Sequence, residues 1–260
     1  MSRRTTELSA ASSARSAANA WESDQDYSTI APARPIMPPL PPSNARTTRK
    51  RWLQQTQRRA RILANARLLV VEEGYDHVAL RRLATRSGVT PPTIYNLIGG
   101  REEVLHRAID EVHSAKVAFA AKRAAAENIN AVLAYADTLW VALSRDPEYS
   151  RQVIHAINSS DHELSTLIRD RTVTAIVSWL AALIQAGEMR HTGNLKVVAE
   201  LIHRHITTTV GVWAENHIGM QDLRRQLATG VGLMLLGLME QAEAQRIEMW
   251  LSRLETTAAE

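Results

Sequence analysis

The stretch from Val78 to Leu105, VALRRLATRSGVTPPTIYNLIGGREEVL, constrains the fold more than any other part of this chain. Leu80, Leu83 and Ala84 stand at i, i+3 and i+4, which puts them on one apolar face of a short helix. Gly88, in the Ser87-Gly88-Val89 turn that follows, accepts the positive φ that a tight link between helices demands. Thr90 is placed as an N-cap, and Pro91 occupies the first helical position, where its missing N–H costs nothing. Ile94, Leu97 and Ile98 supply the inward face of the second helix, and Glu102-Glu103 favour the N-terminus of a third. Two short helices about a glycine turn, edged by Arg81, Arg82, Arg86 and Arg101, imply a DNA-binding helix-turn-helix.

Charge supports that implication. Between Asn44 and Arg107 there are 13 Arg and Lys against 5 Asp and Glu, whereas residues 108–260 carry 14 against 18 and residues 1–43 balance at four each. The net charge of +4 is therefore a basic excess concentrated in the helix-turn-helix segment, where a phosphate-binding surface needs it. With 45% hydrophobic residues, many of them Ala and Leu, and a single Phe, the chain has the composition of an all-α protein with a real core. It has no cysteine, which excludes thiol catalysis, disulfides and cysteine-ligated zinc and fits a cytoplasmic location. The longest apolar run, Val231 to Met239, is about half of the ~18–20 residues that a membrane span requires, and no hydrophobic segment follows Arg3-Arg4 as in a secretory signal.

From Arg59 to Leu105 the chain resembles the DNA-binding head of the TetR-type (TetR/AcrR) transcriptional regulators. Ile62-Leu63, Ala66, Glu73-Gly74, Leu83-Ala84, Gly88-Val89-Thr90, Thr93-Ile94-Tyr95 and Arg101-Glu102-Glu103-Val104 carry the resemblance without a gap. Ala79 stands where that family usually has a capping threonine, Leu97-Ile98 replaces its His-Phe pair, and Arg101 replaces its lysine. The resemblance implies a homodimer that binds double-stranded operator DNA through the head and a small-molecule effector through a helical body.

Taken in order, residues 1–46 form an extension rich in Ser, Ala, Thr and Pro that is expected to be disordered. Residues 47–107 make a helix-turn-helix DNA-binding domain, and residues 108–260 a helical ligand-binding and dimerisation domain. The first helix is expected over about Trp52 to Glu73, ended by Gly74. The helix opening at Arg101 should run to about Ala126 as the connector to the body. Further helices are expected at about Ile129–Ser144, Tyr149–Asn158, His162–Ala186, Leu195–His217 and Gln221–Leu254.

Phosphate contacts are expected from Arg49, Lys50, Arg51, Arg81, Tyr95 and Arg101. Thr90, Pro91, Pro92, Thr93 and Asn96 bound the recognition helix, with Thr93 and Asn96 as readers of base edges: Asn pairs with adenine, and Thr touches a thymine methyl. Gly230, Met234 and Gly237 form a small-residue stripe on a very apolar helix, a pattern suited to close packing against a second copy. Tyr135, Trp140, His155, Trp179, His203 and Trp213, with Asn158, are candidates for the lining of an effector pocket. In His203-Arg204-His205 the two histidines point to different sides of a helix and neither has a carboxylate at i+3 or i+4, so neither metal nor another cofactor is expected. No Ser-His-Asp spacing or nucleophile elbow is present, which leaves an enzyme as the weak alternative and a ligand-independent architectural DNA-binding protein as the other. The sequence specifies neither the effector, nor the operator, nor the sign of regulation.

Overall fold

The computed structural model describes residues 46–159, 161–190 and 193–257, and these form ten α-helices. They are α1 (Arg46–Glu73), α2 (Leu80–Arg86), α3 (Pro91–Leu97), α4 (Arg101–Glu127) and α5 (Ala131–Arg145), then α6 (Pro147–Ser159), α7 (His162–Gln185), α8 (Leu195–Ala214), α9 (Met220–Leu236) and α10 (Gln241–Thr257). A single 3₁₀ turn, Tyr75–His77, joins α1 to the loop before α2. The extension expected to be disordered lies, except for Arg46, outside the described residues.

The head is built as the apolar spacing requires. Ile62, Leu63, Ala66, Leu69 and Val70 of α1 are buried against Leu83 and Ala84 of α2, Ile94 of α3, and Val104, Leu105 and Ala108 of α4. Gly88 takes a φ of +62° at the α2–α3 turn, which an L side chain would resist. That cluster does not stop at the head, because Ala156 of α6 and Leu164 and Ile168 of α7 belong to it. The body core lies on the other side of these helices. Tyr135 of α5, Ile176 and Leu180 of α7, Ile202 and Trp213 of α8 and Leu227 and Val231 of α9 fill its centre. At its edge Arg123 of α4 and Arg224 of α9 close on Asp137 of α5, at 2.6 and 3.3 Å, pairing the buried carboxylate from two sides.

One helix expectation is corrected. The sequence reads as continuous from Gln221 to Leu254, but the chain breaks at Gly237 and restarts at Gln241. The residues between pair with the loop after α7. Arg190 donates its N–H to Leu238 O at 2.9 Å, and Glu240 donates to Glu188 O at 2.9 Å, an antiparallel bridge about Met189 and Met239. Both methionines are buried, so the bridge seals the end of the core. Among the described residues no helix is long and apolar enough to cross a membrane.

Candidate nucleic-acid interface and body cavity

The recognition helix α3 follows Thr90, whose carbonyl accepts from the N–H groups of Thr93 and Ile94. Thr90 is the N-cap residue, yet its hydroxyl meets the hydroxyl of Thr93 at 2.9 Å and makes no bond to the helix backbone. Ile94 is buried and Leu97 half-buried, while Pro92, Tyr95 and Asn96 are exposed; Tyr95 shows 59% of its surface. Arg49, Lys50 and Arg51 on the first turns of α1 and Arg81 on α2 are exposed as well, whereas Arg82 and Arg86 pair with Glu73 and Glu72, each at 2.5 Å.

Arg101 departs from its expected role. Its Nε donates to Val78 O at 2.9 Å, its second nitrogen bonds Tyr75 O, and the guanidinium lies over the Tyr75 ring at 5.6 Å. The half-buried fork thus braces carbonyls that the short turn before α2 leaves without helical partners. Arg59, which no sequence argument singled out, does the same for α3: its Nε donates to Leu97 O at 2.8 Å, closing the C-terminal end of the recognition helix.

A cavity of about 220 Å³ lies in the body, walled by α4, α5, α6, α7 and α8. Of the expected pocket residues it is lined by Tyr135, Asn158 and His203. The other four stand outside its wall. Trp140 donates its indole N–H to Met220 O at 3.0 Å and stacks on Arg224; Trp213 lies under Arg151; Trp179 packs on the outer side of Tyr135; and His155 is exposed on α6. Large rings at helical spacing here hold helices together, as most core aromatics do. His203 and His205 diverge as their spacing dictates. His205 donates to Gln226 O at 3.1 Å and packs against Gly230, while His203 reaches the cavity.

The polar residues of the cavity are mostly ones that sequence reading passed over. Lys116 of α4 is on the wall, and no carboxylate among the described residues comes within ion-pair distance of it. Burial lowers its ammonium to about 8, with Asp146 opposing the shift from a distance. The hydroxyl of Tyr149 and Nδ1 of His203 are buried with no hydrogen-bond partner among the described residues. His113, 3.0 Å from the Thr172 hydroxyl, is pushed down to about 3 by burial and by the neighbouring Lys116, His203 and Arg171 charges, so its ring is neutral at ordinary pH. A signal for Lys116 was present. Ile109, Val112, His113 and Lys116 fall at i, i+3, i+4 and i+7, so the lysine sits on the inward stripe of the connector helix.

A single carboxylate links this region to the head. Asp161 caps α7 by accepting from Leu164 N at 2.8 Å, and its other oxygen accepts from Tyr75 Oη of the head turn at 2.6 Å and meets His106 Nε2 of α4 at 2.6 Å. Burial raises the Asp161 pKa, but the hydrogen bonds from Tyr75, Leu164 and His106 outweigh it and hold the carboxyl below its ordinary value.

On the far side of the body, α8 and α9 leave Val197, Leu201, Leu233 and Met234 exposed. Gly237 opens to solvent, with nothing within 4 Å of where a Cβ would stand. Gly230 differs, because a Cβ there would collide with the His205 ring; it serves the contact between α8 and α9 of the same chain.

Residues 62–108 match the family described as bacterial regulatory proteins, tetR family. No curated protein matches the chain. The fold is that of solved structures from the same group. The repressor SmeT of the Stenotrophomonas maltophilia multidrug efflux pump SmeDEF is 19% identical with a TM-score of 0.56, over 70% of this chain and 91% of that one. The Thermus thermophilus repressor FadR, solved in complex with lauroyl-CoA, is 17% identical with a TM-score of 0.56, over 69% and 94%. A TetR-family regulator from Syntrophomonas wolfei is 16% identical with a TM-score of 0.61, over 70% and 96%. The helix-turn-helix head thus matches the tetR family, and the ten-helix fold of head and body together is the one these regulator structures share.

Proposed function

We propose that the chain is a ligand-responsive repressor that binds operator DNA as a homodimer and is released when a small molecule fills the body cavity. The observation that carries this reading is that the cavity wall and the seat of the head are the same helices. Ile109 and Ile168 line the cavity and also belong to the head's core, and Asp161 ties α7 to the turn before α2. An architectural DNA-binding protein has no need of a cavity in that position. The repressor FadR, of the same fold and solved in complex with lauroyl-CoA, supports a body that takes a small-molecule effector.

In this reading Arg49, Lys50, Arg51, Arg81 and Tyr95 meet phosphates and fix the register of the head. Thr93, half-buried with its hydroxyl bonded to that of Thr90, and the exposed Asn96 read base edges. Arg59 and Arg101 hold the backbone on which those side chains stand. The dimer forms through the open apolar face of α8 and α9, where Val197, Leu201, Leu233, Met234 and Gly237 lie. A two-fold pair of heads then meets two half-sites about one helical turn of DNA apart or a multiple of it.

Selection of bound duplexes from a randomised pool tests the whole reading. The expected product is an inverted repeat whose affinity falls steeply with salt, log affinity dropping by roughly 0.9 per phosphate contact. Recovery of no symmetric site, or an affinity flat with salt, refutes it.

A further inference from the structure

The cavity is lopsided in charge. Lys116 is on its wall and Arg169 at its rim, and no Asp or Glu is among the described residues that line it. Arg169 is largely exposed and turned toward Asp170 at 3.5 Å, but Lys116 has no such partner among the described residues. An unpaired ammonium among Ile109, Leu139, Leu143 and Ile154 is costly, and it persists only where something else offsets the cost. Two polar atoms of the same wall, Tyr149 Oη and His203 Nδ1, are buried and without a partner among the described residues. Buried groups left open in this way mark the place of a missing partner. One cation, one hydroxyl donor and one imidazole nitrogen make a receptor for a small anion, and the rest of the wall is aliphatic.

Resting on the reading of this cavity as the effector site, we infer that the effector is a compact carboxylic acid with an apolar tail, its carboxylate paired to Lys116 and hydrogen-bonded by Tyr149. A doubly charged phosphate fits worse, because a second cation inside the cavity would be needed and Arg169 is engaged at the rim. The volume of about 220 Å³ lies below the roughly 300–1,000 Å³ of sites for drug-sized ligands, so a free acid is favoured over a bulky conjugate.

Three eight-carbon probes of one shape test the inference on the full chain by titration calorimetry at pH 7: octanoate, octanol and octylamine, with octyl phosphate as a fourth arm. Octanoate is expected to bind at least about tenfold more tightly than octanol, the ratio of a single charge-assisted hydrogen bond, and octylamine more weakly still. Lys116→Met should abolish the preference for octanoate while leaving octanol affinity within about twofold. Equal binding of octanoate and octanol, tighter binding of octyl phosphate, or a preference that survives Lys116→Met each overturns the carboxylate assignment and leaves the cavity as an effector site. Absence of binding by all four probes overturns both readings. The comparison among probes on the unaltered chain stands even if the variant fails to fold.

Discussion

Replacing Asp161 by Ala removes three hydrogen bonds that hold three parts of the chain together. The N-cap of α7 is worth about 1 kcal/mol. The Tyr75 and His106 bonds, both at 2.6 Å, each add about 1.5 kcal/mol, the low end for a bond to a charged group, since the carboxylate keeps 14% of its side-chain surface in water. Together the loss is about 4 kcal/mol, or a fall of ~8–16 °C in Tm for a chain of this size. Asp161→Asn keeps the cap and one neutral acceptor and should lose about half as much. Since the folded carboxyl lies below its ordinary value, its contribution is present above pH ~4 and lost as pH falls through the folded pKa. Urea unfolding followed by circular dichroism between pH 3 and 7 should therefore show an acid-sensitive part of the wild-type stability that is absent in Asp161→Asn. A loss near 1 kcal/mol for Asp161→Ala, together with unchanged acid sensitivity in Asp161→Asn, would mean that only the cap contributes and that Tyr75 and His106 make no net link.

The other expectations concern DNA, assembly and the cavity lysine. Arg81→Ala should weaken binding to all duplexes about equally and lower the salt slope by about one, whereas Asn96→Ala should cost ~1–3 kcal/mol on the selected site alone; titrations on selected and scrambled duplexes at two salt concentrations distinguish them. Gly237→Glu should leave the fold intact, because the position opens to solvent, and shift sedimentation from dimer to monomer; an unaltered dimer moves the interface elsewhere. Between pH 8 and about 10.5 the unfolded chain keeps a proton at Lys116 that the folded chain has released, so the ligand-free protein should gain stability over that range by ~1–3 kcal/mol, and Lys116→Met should remove the gain in a urea titration.

The head was legible in the sequence because its determinants are local. Gly88 announces its turn, Leu83, Ala84 and Ile94 announce their faces, and Pro91 its helix start, all within a 28-residue window. Arg101 was misjudged because exposure and charge are sequence properties, whereas an orphaned carbonyl such as Val78 O exists only after the turn has folded. The break at Gly237 was missed for the same reason. A glycine in an apolar helix reads as a close contact, and what ends α9 is a pairing with Glu188 and Arg190 some fifty residues away. In the body, the search for pocket residues favoured conspicuous aromatics such as Trp140 and Trp213, which pack under arginines instead. The informative residue was a lysine out of place on an apolar stripe.

Ligand-driven release needs a ligand to bind the DNA-incompetent state better, and the change in DNA affinity is no larger than that difference. The demand is modest. Each tenfold change corresponds to about 1.4 kcal/mol, and a mispacked methyl in a core costs about that much. Ile109 and Ile168 are buried residues whose side chains touch both the cavity and the packing of α1 and α4 in the head. Tyr149, Val153 and Ile157 of α6 likewise line the cavity and pack on the head core. In the proposed response a ligand larger than the open space presses on these five, and the close packing of a core transmits that displacement rather than absorbing it. Asp161 couples the two parts, because the α7 end that it caps is also bonded to the turn leading into α2. In the proposed response, movement of α7 would reach the helix-turn-helix through Asp161 and Ile168, and movement of α4 through Ile109, without any contact between the ligand and the DNA-binding face.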